Sequence, residues 1–302
     1  MHESLPSFAA HLSGERRTLL TVVIPTLNEA DRLPDCLASV AWASEIIVVD
    51  AGSADETVTV ARKAGALVIS MRGGTIGEQK NAGIAAASTR WILSIDADER
   101  VTPALRASIE EAVRTPTAEA YRLHLRNHYL GAVYMRGSWG RDRHVRLYPS
   151  TCRWSAHQVH EKLEGVGTVQ DLSGFLEHES YRDLSHQLRK AVTYAEWGAA
   201  DLQTTNRRIT VATLVGRPLW RFLKTYLLQG MWRDGTRGFV FCAVHAWACF
   251  SKYAVVWDQQ RQRALGLPLE RAVGEPPQVP AAPSRAAAPV TVPSAASVSS
   301  AA

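Results

Sequence analysis

Trp91-Ile92-Leu93-Ser94-Ile95-Asp96-Ala97-Asp98-Glu99 reads as a buried strand that ends in two carboxylates two positions apart. Hard oxygen donors in that arrangement suit Mg²⁺ or Mn²⁺, which bind through one or two carboxylates and keep other positions for phosphate oxygens. The plainer reading is a strand that stops at a polar loop. Earlier strand ends favour the first reading. Leu20–Pro25 leads into Thr26, Asn28 and Glu29, and Glu45–Asp50 leads into Gly52, Ser53 and Asp55. Three polar clusters on one sheet edge point to a nucleotide site, because ligands of open α/β sheets bind at the carboxyl ends of the strands.

The elements that must place these groups alternate regularly. Strands are expected at Leu20–Pro25, Glu45–Asp50, Leu67–Ser70 and Trp91–Asp96, with helices over 29–41, 54–64 and 77–88 between them. Near-continuous apolar, β-branched runs are what a parallel sheet covered on both faces requires. Strand–helix–strand repetition predicts a doubly wound α/β sheet. Thr102-Pro103 opens a further helix to about Arg114, with Pro at its first position. Ser53 and Glu56 have capping-box spacing, so Ser53 reads either as a cap or as a ligand contact. Residues 119–180 mix short strands such as Tyr121–Leu125 and His144–Tyr148, rich in His, Arg and Trp, as an active-site rim would be.

Residues 182–258 read as helical. Within them 238–257 is apolar over about the ~20 residues that cross a bilayer. His245 and Lys252, together with Arg217, Arg221 and Lys224 nearby, fit a helix lying in the membrane interface better than a spanning one. A buried core helix is the other reading. The expected organisation is a tail at 1–17, a catalytic domain at 18–180, a membrane-associating helical region at 181–260 and a Pro/Ala/Ser-rich disordered tail at 261–302.

The chain has 302 residues, 46% of them hydrophobic, and a net charge of +5, which favours an anionic membrane or a phosphorylated substrate. The basic residues are not grouped in a nucleic-acid reader motif, so no nucleic acid is expected. Cys36, Cys152, Cys242 and Cys249 show no zinc or CxxC spacing and read as reduced core residues of a cytoplasmic protein. Charged residues break up the first eighteen positions, so a cleaved secretory signal is not expected.

Val22–Glu29, Ile47–Thr57 and Ser94–Glu99 resemble the family 2 glycosyltransferases, inverting enzymes of the GT-A fold. Gln79-Lys80-Asn81, Asp96–Val101, Val159-His160-Glu161 and Arg217–Phe222 are similar to the lipopolysaccharide core β-1,4-glucosyltransferase subgroup, over about residues 18–258. The resemblance implies a mostly parallel GT-A sheet, with a Rossmann-like nucleotide-binding half and an acceptor half, and a C-terminal helical extension. It implies a UDP-sugar donor, glucose in the subgroup. It also implies a lipopolysaccharide-core or other lipid-linked acceptor, and work on the inner face of the cell membrane. Asp50 would accept from the uracil N–H, with Pro25 and Thr26 as wall and backbone contacts and Glu29 toward ribose. Asn28, Gly52 and Ser53 complete that pocket. Glu29 also reads as a carboxylate favoured at a helix N-terminus.

Lys80 follows Gly73, Gly74 and Gly77 and would add charge beside a helix N-terminus open to phosphate. A solvated helix lysine is the alternative. Gln79 and Asn81 would touch ribose or the donor sugar. Asp96 and Asp98 would grip the metal, with His160 as a further metal or diphosphate contact or a structural histidine. Inversion needs a base across the sugar from the leaving group, so it comes from the later segment. Glu161 is the first candidate and Asp142 the second, Asp142 being weakened as a base by the flanking Arg141 and Arg143. Arg141, Arg143 and Arg146 read either as acceptor contacts or as a solvated strand face. An Asp-x-Asp phosphatase is disfavoured because Arg100 stands where that chemistry needs Thr or Val. A catalytically silent membrane adaptor with a nucleotide-binding fold is the reading from another class.

Overall fold

The computed structural model describes residues 18–134, 136–137, 139–155, 162–203 and 208–267. The expected tails at 1–17 and beyond 267, and the Val159-His160-Glu161 triplet, lie outside the described residues.

Three strand–helix units open the chain: β1 (Thr18–Thr26), α1 (Leu33–Ser39), β2 (Ala43–Asp50), α2 (Thr57–Lys63), β3 (Leu67–Ser70) and α3 (Ile76–Ala86). β4 (Trp91–Ser94) closes this half, with β1 between β2 and β4 and every pairing parallel. Both faces of β1 are covered. Val22 and Ile24 pack with Leu33 and Leu37 on one side, and Val23 packs with Ile47, Val49 and Ile84 on the other. That two-sided burial is why these strands read as unbroken apolar runs rather than alternating ones. Gly83 lets α3 lie directly on β1, since a Cβ there would stand 2.3 Å from a Val23 methyl.

The second half adds β5 (Glu99–Val101), α4 (Pro103–Arg114), β6 (Ala120–Tyr129), β7 (Ala132–Tyr134), β8 (Arg143–Pro149), the small hairpin β9 (Arg153–Trp154) and β10 (Leu163–Glu164), and β11 (Val169–His178). The main sheet runs β3-β2-β1-β4-β8-β6-β11-β5, with β7 on β6. β8 is antiparallel to both β4 and β6, β5 is antiparallel to β11, and β6 runs parallel to β11. The expected parallel arrangement therefore holds for the first half, and a mixed half is joined to it through β8. The helix at 103–114 starts as expected, with Thr102 capping it through the Leu105 N–H at 3.3 Å.

α5 (Leu184–Gln203), α6 (Val211–Leu223) and α7 (Gly235–Ala264) follow, with a π-helical turn at Lys224–Leu228 and a 3-10 turn at Met231–Asp234 before α7. α7 packs on α5 and α6 and meets the sheet through Tyr129, Tyr134, Trp139, Met231, Phe241 and Cys242. Gly238 makes the turn onto α7 possible, because a Cβ there would meet the Met231 carbonyl oxygen at 1.9 Å. Met231–Ala264 is long and apolar enough to cross a membrane by length and composition, yet only 22% of its most apolar window is buried in the protein. That exposure disfavours a core helix. Val211, Val215, Leu219 and Trp220 on α6, and Phe239, Trp247 and Phe250 on α7, are exposed.

His245 sits inside the aromatic contact between α7 and the sheet. Its ring lies 4.1 Å from that of Phe241 and 6.3 Å from that of Trp139, and its buried Nε2 has no hydrogen-bond partner among the described residues. Burial, helped by the Arg221 charge, pulls its pKa from 6.5 down to about 4. A depressed value means that the neutral ring stabilises the fold above pH 6.5 and that this contribution drains away as pH falls through about 4. His245→Leu is expected to flatten the acid limb of a stability-versus-pH curve between those values, read by urea unfolding. An unchanged limb would place the acid-labile group elsewhere.

Candidate active site

The loops after β1 and β2 are stitched together by side chains. Asn28, at φ 56°, accepts from the Ala54 N–H at 2.8 Å, and its own N–H donates to Ser53 Oγ at 2.9 Å. Glu29 N–H donates to Thr57 Oγ1 at 2.9 Å and Ala30 N–H to Asp55 at 3.2 Å. Asp50 is 3% exposed and accepts from the Gly52 N–H at 3.0 Å and the Ser53 N–H at 3.1 Å. Gly52 has φ 102°, a backbone state that suits glycine. Asp50 and Thr26 are register partners at the same strand edge, followed by an Ala51 N–H to Thr26 carbonyl bond of 2.9 Å. Pro25 pairs with Val49 one step back.

The Ser53–Glu56 capping box does not form. Ser53 takes the Asn28 N–H instead, and Glu56 precedes α2 with no side-chain cap. The capping box of this half is at α3, where Thr75 accepts from the Glu78 N–H at 3.2 Å and Glu78 accepts from the Thr75 N–H at 2.7 Å. Those N–H groups are engaged, so the expected helix-end phosphate cradle is narrower than the glycines suggested. Lys80 is 4% exposed rather than solvated, with its ammonium 4.3 Å from the centre of the Trp154 ring. Gln79 beside it is also buried. Asn81 faces the hairpin. Its side chain donates to the Trp154 carbonyl at 2.8 Å and accepts from the Trp154 N–H at 2.9 Å, a pair of bonds that occupies the amide placed by sequence at the sugar.

Asp96 to Glu99 form the charged centre. Arg146 donates to Asp96 at 2.8 Å and to Glu99 at 2.6 Å, and Glu99 accepts from the Asp96 N–H at 2.8 Å. Arg146 is therefore not a solvated or acceptor-facing residue, because the edge-to-centre step from Arg143 to Arg146 on β8 turns it into the sheet interior beside two acids. Burial and the charges of Asp96 and Asp98 push Glu99 up to about 8, while Arg146 opposes that rise. Burial works against ionised Asp96, but the charge of Arg146 and then that of Lys80 outweigh it and hold Asp96 well below the usual carboxylate range.

Asp98 lies 3.3 Å from an Arg32 nitrogen and 3.7 Å from His178 Nε2. Arg32 also donates to both oxygens of Glu29 at 2.8 Å and to the Glu179 carbonyl at 2.8 Å, and Arg182 reaches Glu29 at 3.1 Å. The Glu29 carboxylate thus already serves two arginines. Burial lowers the His178 pKa against the opposing charges of Asp98 and Asp96, which favours the neutral, metal-binding ring. Among the described residues no three His, Cys, Asp or Glu side chains cluster as a self-sufficient metal site. A pair such as Asp98 and His178 fits an ion that takes its other ligands from phosphate and water.

Asp142 accepts from Asn127 at 3.3 Å and bonds to His144 at 2.7 Å. Burial raises its pKa, but the His144 and Asn127 bonds outweigh burial and hold it below the ordinary carboxylate value. The direction is as expected and the cause differs, since the flanking Arg143 turns away to Asp171 at 2.7 Å. His160 and Glu161 lie outside the described residues. Ser155 and Lys162, the described residues on either side of them, are joined by a Ser155 N–H to Lys162 carbonyl bond of 2.9 Å and a Lys162 N–H to Ser155 Oγ bond of 2.9 Å. Sequence reading passed over His178, Glu99, Arg32 and Asn127. His178-Glu179-Ser180 ends a strand in a polar cluster, the same signal that marked Asp50 and Asp96.

One end of the parallel sheet thus gathers the buried Asp50, the buried Lys80 and the Asp96–Asp98 carboxylates. Residues 21–138 match the Glycosyl transferase family 2 model. The lipopolysaccharide core biosynthesis glycosyltransferase LpsC of Rhizobium meliloti is 28% identical over 256 residues, 81% of this chain and 94% of that protein. An uncharacterized glycosyltransferase of Rickettsia prowazekii is 28% identical over 254 residues, 79% of this chain and 87% of its own length. Among solved structures, glucosyl-3-phosphoglycerate synthase from Mycobacterium tuberculosis, in complex with Mn²⁺, UDP-glucose and phosphoglyceric acid, is 26% identical at a TM-score of 0.31. That likeness covers 37% of this chain, which spans 44% of that structure. S. aureus TarS 1-349 is 13% identical at a TM-score of 0.43, over 81% of this chain and 91% of that one.

Removing Arg146 leaves the fully buried Glu99 and the partly exposed Asp96 without their cation. Arg146→Ala is expected to destabilise the protein by about 3–5 kcal/mol, the usual cost of breaking a buried ion pair from one side. Arg146→Lys, which keeps the charge, should lose less. Urea unfolding of both variants measures this, and equal losses would contradict the charge argument.

Proposed function

We propose that the protein is an inverting, metal-assisted glycosyltransferase that moves a sugar from a UDP-sugar to a lipopolysaccharide-core or other lipid-linked acceptor at the inner face of the cell membrane. Glucose is the donor sugar that the subgroup resemblance favours. The observation that carries this reading is the match to the family 2 model, with Asp50 and the Asp96–Asp98 segment at the carboxyl edge of one parallel sheet. The relationship to LpsC supports the acceptor class.

Each residue then has a task. Asp50 keeps acceptor capacity beyond its two loop bonds, enough for a uracil N–H. Thr26, Pro25, Gly52 and Ser53 shape the wall of that pocket, and Asn28 locks it. Gln79 lies beside the ribose and sugar. Asp98 and His178 would hold Mg²⁺ or Mn²⁺, with Asp96 set beside them by Arg146. A bound ion would offset the charge of the departing diphosphate. Lys80, buried under Trp154, adds a fixed positive charge to the same place, which is worth more there than in water. Glu29 and Arg182 form the outer wall on the ribose side. Glu161 remains the first choice for the base that takes the acceptor proton. The low pKa of Asp142 and its bonds to His144 and Asn127 favour Glu161 over it.

The acceptor class agrees with the outer helices. Val211, Val215 and Leu219 recur every four residues and make one apolar stripe on α6, with exposed Leu227, Leu228 and Trp232 beyond it. Arg217, Arg221 and Lys224 accompany the stripe. Aromatic and aliphatic side chains with basic neighbours suit a helix pair resting in an anionic lipid interface.

A panel of nucleotide sugars, assayed for Mg²⁺- or Mn²⁺-dependent UDP release with and without lipid A core extract, tests the reaction. Asp98→Ala should abolish turnover and weaken metal-dependent donor binding. Glu161→Gln should spare donor binding and cut the rate by about 10²–10⁴-fold. Metal-independent turnover, or none with any UDP-sugar, would overturn the reading, and the latter result would favour a silent adaptor. Flotation with vesicles containing anionic lipid should carry the protein upward. Paired Leu219→Glu and Trp220→Glu changes should abolish flotation without lowering turnover on a soluble acceptor. Flotation that survives them would place the lipid contact on another surface.

A further inference from the structure

Asn127 and His178 are register partners on the parallel strands β6 and β11, so the sheet itself sets their separation. Asn127 is fully buried. Its amide nitrogen lies 3.3 Å from the Trp139 carbonyl oxygen and 3.3 Å from Asp142 Oδ2. Its amide oxygen lies 2.7 Å from His178 Nδ1 and 3.2 Å from Ser180 Oγ. A main-chain carbonyl has no proton to give, and an ionised carboxylate has none either. Turning the amide over would set oxygen against oxygen on both of those sides, so the amide has one sensible orientation.

That orientation decides the state of the imidazole. An amide oxygen only accepts, so His178 Nδ1 must carry the hydrogen it donates to Asn127. In the neutral ring the other nitrogen, Nε2, is then bare. Nε2 faces Asp98 Oδ1 across 3.7 Å, beyond hydrogen-bond length. Two lone-pair atoms thus look at each other with no hydrogen to share. A bare ring nitrogen beside a carboxylate oxygen is a donor pair that would suit a divalent cation.

We propose that Asn127 is a positioning residue that fixes the Nδ1–H tautomer of His178 and thereby readies His178 and Asp98 to take a divalent cation together. This rests on the reading of the site as one that binds a nucleotide diphosphate with a metal. Through its amide nitrogen Asn127 also holds Asp142, so one side chain of β6 organises the cation pair and the start of β8 at once. Hydrogen bonds to the far nitrogen of a metal-binding histidine commonly change metal affinity by about 10–100-fold when removed.

The test uses the full chain. Long-range ¹H–¹⁵N correlation spectra of ¹⁵N-histidine-labelled protein without metal, with His178 assigned through His178→Gln, should show a protonated Nδ1 and a bare Nε2. A protonated Nε2 overturns the proposal. Mn²⁺ titrated in the presence of UDP and followed by electron paramagnetic resonance should bind the wild-type chain. Asn127→Ala should weaken it about 10–100-fold, with circular dichroism unchanged. Asn127→Gln, which keeps an amide oxygen for Nδ1 and an amide nitrogen for Asp142, should lose less. Equal weakening in both variants, unchanged affinity in Asn127→Ala, or no Mn²⁺ binding by the wild type each overturns it. Should Asn127→Ala fail to fold, the wild-type tautomer decides. Failure of the sugar-transfer reading looks different: no UDP-sugar turnover, with the tautomer and Mn²⁺ results intact.

Discussion

A single guanidinium, that of Arg146, is shared between Asp96 and Glu99 in the interior of the sheet, and the rest of the site is arranged around it. Taking these charges out of water is costly, and the cost is offset only where partners and geometry match. The bonds close a ring, from Asp96 through Arg146 and Glu99 back to the Asp96 N–H. The ring fixes the backbone just where β4 ends. Asp98, two residues on, is thereby presented to Arg32 and His178 at a set depth. β8 runs antiparallel between β4 and β6, so the mixed half of the sheet delivers its arginine to the parallel half.

This explains which parts were legible from sequence. β1 to β4 announce themselves because burial on both faces demands unbroken β-branched runs, and β3 was read to its exact ends. Helix starts were less legible. α1 begins at Leu33 rather than near 29, because residues 28–30 spend their backbone groups on Ser53, Asp55 and Thr57 across the neighbouring loop. No local pattern reveals bonds between residues some twenty-five positions apart in the chain. The same holds for Ser53, whose spacing from Glu56 suggested a cap while its hydroxyl was needed elsewhere.

In the second half the difficulty is of another kind. Arg146 and Arg143 look alike in sequence, three residues apart on one strand, yet one is buried against acids and the other is exposed against Asp171. Which of them turns inward is decided by the pairing of β8 with β4 on one side and β6 on the other, and both pairings are long-range. Polar strand ends mark Asp50, Asp96 and Asp98 in sequence, and β11 ends in the same way at His178, the residue that faces Asp98. The outer helices were legible as apolar and basic, while the π-helical turn that redirects α6 before α7 was not.

The two bonds between Asn81 and the Trp154 backbone tie the small β9–β10 hairpin to α3. They also steady the Trp154 ring 4.3 Å from the Lys80 ammonium, one residue along the same helix. A change at Asn81 would therefore be felt at a neighbouring buried charge through the aromatic ring that both residues share.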